Sequence, residues 1–150
     1  MFKSFLRARP TVSIFHHPSS PQSNRALELL RSSLTAPYPP GEPSARPLEF
    51  DLEVVESSPP NPDQMQTIQS YLPKSESLAS AFVSAHPSAP SAAEQPQSPS
   101  ELSDLAKKNL NAVKWPIVVD WMGGRASIGD VDGVKRMLDA IKSESGGANR

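Results

Sequence analysis

The chain has 150 residues, no cysteine, and a formal net charge of −1, with 15 Lys and Arg against 16 Asp and Glu. That balance argues against a dedicated nucleic-acid binder, which carries a strong basic excess, and the missing cysteines exclude disulfides, thiolate metal sites and a Cys nucleophile. Hydrophobic residues make up only 37% and Pro occupies 17 positions, about twice its usual share, so only part of the chain is expected to fold; no apolar run approaches the roughly 20 residues needed to span a bilayer.

Residues 1–10, MFKSFLRARP, join three basic side chains to Phe2, Phe5 and Leu6, and no acidic residue occurs before Glu28. This is the composition of a mitochondrial targeting segment, without the apolar stretch of a secretory signal. The localisation expected from it is mitochondrial. The folded domain is expected over 11–142.

Thr11 to His16 is a β-branched and aromatic run and predicts a strand. Ser20-Pro21 then opens a helix, Ser as the cap and Pro in the first turn. Leu27, Leu30 and Leu34 give it an apolar face, which Ala26 and Leu29 widen. Residues 35–47, TAPYPPGEPSARP, read as a flexible Pro-rich loop. From Leu48 to Val55, Leu48, Phe50, Leu52 and Val54 alternate with Glu49, Asp51 and Glu53. That pattern predicts a half-buried strand, and its acidic face suits a sheet edge.

Asn61-Pro62-Asp63-Gln64 has the capping-box pattern, followed by Met65, Ile68 and Leu72 on one helical face. Residues 74–99 hold seven Ser, six Ala and four Pro among 26 positions, too little large apolar surface to offset ordering. They read as a flexible insertion, with at most a short helix around Leu78, Phe82 and Val83. Ser98-Pro99-Ser100-Glu101 repeats the helix-start device before Leu102, Leu105 and Ala106. Pro116 introduces the strand Ile117 to Trp121, Gly123-Gly124 makes a tight turn, and Arg125 to Ile128 returns as a hairpin. Asp130 caps a last helix carrying Val134, Met137, Leu138 and Ile141. Residues 143–150, with Gly146 and Gly147, read as a disordered tail. The order is β-α-β-α-α-β-β-α, an α/β chain with a four-stranded mixed sheet.

Taken together, the segments Ile14 to Ser23, Glu53-Val54-Val55 with Pro59-Pro60, and Trp115-Pro116-Ile117-Val118-Val119-Asp120 with Gly129 following resemble a fungal family assigned to mitochondrial redox metabolism, with a thioredoxin-like fold. The chain is more distantly similar to bacterial arsenate reductases. By this resemblance the first strand is central, the Leu48 strand lies at an edge, and the Trp115-Pro116 bond is cis. The resemblance implies a redox role, the reduction of small toxic molecules. The nucleophilic Cys of arsenate reductases aligns with Ser20, and two of their arginines align with Trp115 and Asp130. Direct thiol catalysis is therefore excluded.

The binding candidates are Ser20, Ser23, Arg25, Trp115, Pro116 and Arg125. Ser20 stands at a helix start, where free N–H groups and the dipole attract anions. The plainer reading of Ser20 is a helix cap. By resemblance, a cis Pro116 leaves backbone groups free to hold a small thiol such as glutathione, or a peptide. Arg125 can pair with Asp120 across the hairpin as a weak surface contact, and Trp121 shares a strand face with Ile117 and Val119. His16 and His17 read as one buried and one exposed imidazole. With His86 distant and no Cys, no metal site is expected. The chain is expected to be a redox protein that relies on a bound thiol. The alternative is a non-catalytic binding or assembly module, with a protein partner and an exposed edge strand for docking.

Overall fold

The structure is a computed structural model and describes residues 9–74, 76–91 and 94–148. Most of the targeting segment expected at 1–10 lies outside these residues. The strands are β1 (Thr11–His16), β2 (Asp51–Glu56), β3 (Ile117–Asp120) and β4 (Arg125–Ile128). The helices are α1 (Pro21–Thr35), α2 (Pro62–Tyr71), α3 (Leu78–Phe82), α4 (Pro99–Lys108) and α5 (Val131–Ala148). A 3-10 turn, Leu110–Ala112, follows α4.

The four strands form one open mixed sheet in the order β2-β1-β3-β4. β1 pairs parallel with β2, Thr11 opposite Asp51, and antiparallel with β3, Ile14 opposite Val118. β3 and β4 form the hairpin, Val118 opposite Ser127. β1 is thus central and β2 an edge, as the alternation of its side chains suggests.

Because side chains alternate along a strand, the sheet feeds two cores. Val12, Ile14 and Val118 face α1 and α5, joining Leu27, Leu30, Val134 and Leu138. Phe15, Ile117 and Val119 face the opposite way, joining Met65, Ile68, Phe82 and Leu102 from α2, α3 and α4. The result is a helix–sheet–helix sandwich.

The helix starts follow from local chemistry. Ser20 Oγ accepts from the Ser23 N–H at 3.3 Å. Asn61 and Gln64 form a complete capping box. At α4, Ser98 caps Glu101 N–H, but the Glu101 carboxylate reaches one residue further back than a capping box requires, to the Gln97 N–H at 2.8 Å. Asp130 Oδ1 accepts from the Asp132 N–H at 3.0 Å in the first turn of α5.

Several expectations need correction. β2 begins at Asp51 rather than Leu48, because the Leu48 N–H donates to Ser33 O of α1, and the ladder opens with Asp51 N–H to Pro10 O. The loop at 35–47 is anchored: Tyr38 is buried, bridges to Arg46, and donates its hydroxyl to Asp139 at 3.0 Å. The insertion at 74–99 does contain the short helix allowed for it, α3, but that helix is packed rather than flexible: its Leu78, Ala81 and Phe82 are buried and Val83 at its end bridges to Val113. The last helix runs past Lys142 to Ala148, where the glycine pair suggests a tail; the Glu144 carboxylate is held there by Arg125. Trp121 lies just beyond β3, yet it packs on the expected face and donates Nε1–H to Ser13 Oγ at 2.8 Å.

Candidate functional site

The turn between β1 and α1 brings His17, Ser19, Ser20 and Gln22 to one wall of a cleft of about 280 Å³. Ser84, His86 and Asn111 stand across it, with Lys114, Trp115 and Gly129 alongside. Of the six sequence candidates, Ser20 and Trp115 line this cleft. The Trp115-Pro116 peptide is cis, and the Pro116 carbonyl is already engaged, accepting from the Gly129 N–H at 2.7 Å. The backbone N–H and C=O of Trp115 have no hydrogen-bond partner among the described residues. Neither has the Gln22 N–H in the first turn of α1. These groups can receive a ligand without breaking any existing bond.

The other candidates part company. Ser23 is fully buried beneath the cleft, and Arg25 is exposed on α1 away from it. Arg125 lines a different groove, along β4. There its guanidinium bonds Asp120 Oδ2 at 2.8 Å and the Glu144 carboxylate. These bonds, Glu144 first, hold the Arg125 pKa above its ordinary value. The weak surface pair expected here is in fact partly buried, since Asp120 is 1% exposed and also accepts the Gly123 N–H.

His16 is buried and His17 half-buried, so the expectation of one exposed imidazole is corrected: the His17 ring stacks obliquely on Trp115, centroids 5.6 Å apart. Its Nδ1 is buried without a partner among the described residues. His16 Nδ1 lies 2.6 Å from Ser23 Oγ, which also accepts the His17 N–H at 3.0 Å. Burial, the largest influence, pushes the His16 pKa below its ordinary value, with Glu56 opposing it. The pair has the spacing of a nucleophile and base. Ser23, however, is completely enclosed and stands outside the cleft lining, so no substrate can approach it. Ser20, partly exposed, is occupied as a helix cap, and among the described residues no imidazole bonds its hydroxyl.

Sequence reading missed this histidine–serine pair. Its signal is the position of Ser23, three residues before Ala26 and four before Leu27, on the buried stripe of α1. Among the described residues no three His, Asp or Glu side chains gather as a metal site, and no helix is long and apolar enough to cross a membrane.

The family described as "Protein of unknown function (DUF1687)" matches residues 2–129. The chain belongs to this family. In this DUF1687 member the match takes in every residue of the cleft and all four strands, and ends just before α5. No curated protein and no solved structure matches the chain.

Proposed function

We propose that the chain is a thioredoxin-fold protein of mitochondrial redox metabolism that works by holding a small thiol such as glutathione, having no thiol of its own. The observation that carries this reading is the juxtaposition of the Ser20 helix start and Trp115 at one cleft, with the Gln22 N–H and both Trp115 backbone groups unpartnered among the described residues. A γ-glutamyl tripeptide offers carboxylates for the helix start and a backbone for Trp115. The bound thiolate, not the protein, would supply electrons to a small oxidant, itself becoming oxidised to a disulfide with a second thiol.

Titration with reduced glutathione, followed by nuclear magnetic resonance, tests the reading. Shifts are expected at His17 to Gln22 and around Trp115. Unmoved resonances at both places up to millimolar ligand would sink it.

A second reading, a binding module without redox work, is favoured by one observation. The only bond between a serine hydroxyl and an imidazole at the β1–α1 turn among the described residues, His16 to Ser23, is buried. Binding of glutathione without any turnover of a disulfide or arsenate would select it.

A further inference from the structure

The sheet has two edges of opposite character. β2 carries Asp51, Glu53 and Glu56, all exposed. β4, Arg125-Ala126-Ser127-Ile128, carries no acid, and a groove of about 510 Å³ runs along it. Leu72 and Ala81 form one wall and Met137 and Ala140 of α5 the other.

The register shows which backbone groups face this groove. In an antiparallel pair, directly opposed residues alternate between bonded and non-bonded pairs. The Gly129 N–H donates to Pro116 O, so Gly129 and Pro116 are a bonded pair. Ile117 and Ile128 are then non-bonded, Val118 and Ser127 bonded, and Val119 and Ala126 non-bonded. The N–H and C=O of Ala126 and Ile128 therefore point away from β3. Neither residue has a backbone or side-chain hydrogen-bond partner there among the described residues. Two residues spaced i and i+2, each offering a donor and an acceptor, are what an added strand requires.

The charges restrict the occupant. Arg125 is matched by Asp120 and Glu144, and Arg136 by Asp130. Lys114, at the Gly129 end of the strand, has only the Ser80 carbonyl at 3.0 Å and no carboxylate within ion-pair reach among the described residues. Glu76 is exposed on the rim. A second copy of β4 does not suit the groove, because β4 carries no carboxylate to bring to Lys114. A single extended segment does.

We infer that the outer edge of β4 is a docking slot for an extended, acidic segment of a partner protein, which adds as a fifth strand and brings a carboxylate to Lys114. The slot shares only Lys114 with the Ser20 cleft and does not depend on the thiol reading.

The test uses the full chain and a heptapeptide alternating valine with glutamate. The amides of Ala126, Ser127 and Ile128 should shift on titration, and the Ala126 and Ile128 amides should slow in hydrogen exchange. Replacing glutamate by lysine in the peptide should weaken binding about tenfold, and Lys114→Glu should reverse that preference. Ala126→Pro removes one outward N–H without touching the β3 ladder and should also weaken binding. If that variant does not fold, methylating alternate amide nitrogens of the peptide makes the same deletion from the other side. No shift at 126–128 up to millimolar peptide, equal binding by the lysine peptide, or full binding by both N-methylated registers would overturn the proposal.

Discussion

His16 Nδ1 and Ser23 Oγ lie 2.6 Å apart, both side chains buried. The bond ties the end of the central strand to the first turn of α1, and the His17 N–H adds to it from the intervening turn. Its consequence is structural order beneath the cleft rather than attack upon a substrate. Ser23→Ala leaves the His16 nitrogen and the His17 N–H without a partner and should cost about 1–3 kcal/mol. Ser20→Ala removes a partly exposed cap and should cost about 1 kcal/mol. Urea unfolding of the two variants measures the difference; a greater loss at Ser20 would contradict this division of roles.

The His16 pKa is depressed by burial, so the unfolded chain binds its proton more readily. Stability from this group is complete above the unfolded value of about 6.5 and falls as pH drops below it. His16→Asn keeps a polar partner for Ser23 but cannot titrate. Its unfolding free energy should vary less between about pH 5 and 7 than that of the natural chain, as chemical denaturation at several pH values can measure.

At the alkaline end Tyr38 acts with the opposite sign. Burial, then its hydrogen bond to Asp139, raises its pKa to about 12. Its contribution is intact below the ordinary value of about 10 and is lost as pH rises towards the folded value. Tyr38→Phe should remove that alkaline loss and release the 35–47 loop from α5. Protease cleavage within 39–46 should then accelerate at neutral pH, while the natural chain resists.

Asp120 and Arg125 offer a third comparison. Arg125→Ala strands a carboxylate that is 1% exposed, whereas Glu144→Ala removes a partner that is 57% exposed. The first should cost about 1–3 kcal/mol, discounted from a fully buried pair because Arg125 is partly solvated. The second should cost below about 1 kcal/mol. Equal losses in thermal unfolding would mean that Asp120 is adequately held by the Gly123 N–H alone.

Ser20→Cys places a thiol at the exposed start of α1, where its pKa should fall below that of a free cysteine. Alkylation rates against pH should show a midpoint below about 8.5. A midpoint at or above that value would mean that the helix start does not stabilise an anion, which would also weaken the glutathione reading.

Much of the fold is legible locally. The capping chemistry of Ser20, Asn61 and Ser98, the alternation through Leu52 and Val54, and the glycine turn at 123–124 each depend on neighbours a few residues away. What escapes sequence reading depends on distant partners. Tyr38 sits in a proline-rich stretch and is ordered by Asp139, 101 positions later. Ser13 interrupts the apolar run of β1, yet its hydroxyl donates to Glu53 at 2.6 Å and accepts from Trp121. Of the site, Ser20 and Trp115 were legible, by their places before a helix and a strand. Arg25 and Arg125 were not separable from them, since spacing alone does not say which end of a sheet a residue serves.

The strand order β2-β1-β3-β4 also imposes a timetable. β1 is made first and finds β2 about 40 positions later, but its other side stays open until Ile117 to Asp120 arrive, some 105 positions on. Contacts so remote in sequence are slow to close. A nascent chain that has passed Glu56 but not Asp120 therefore has the β3-facing side of β1 still unpaired, and the hairpin at 117–128 is the cover that closes it last.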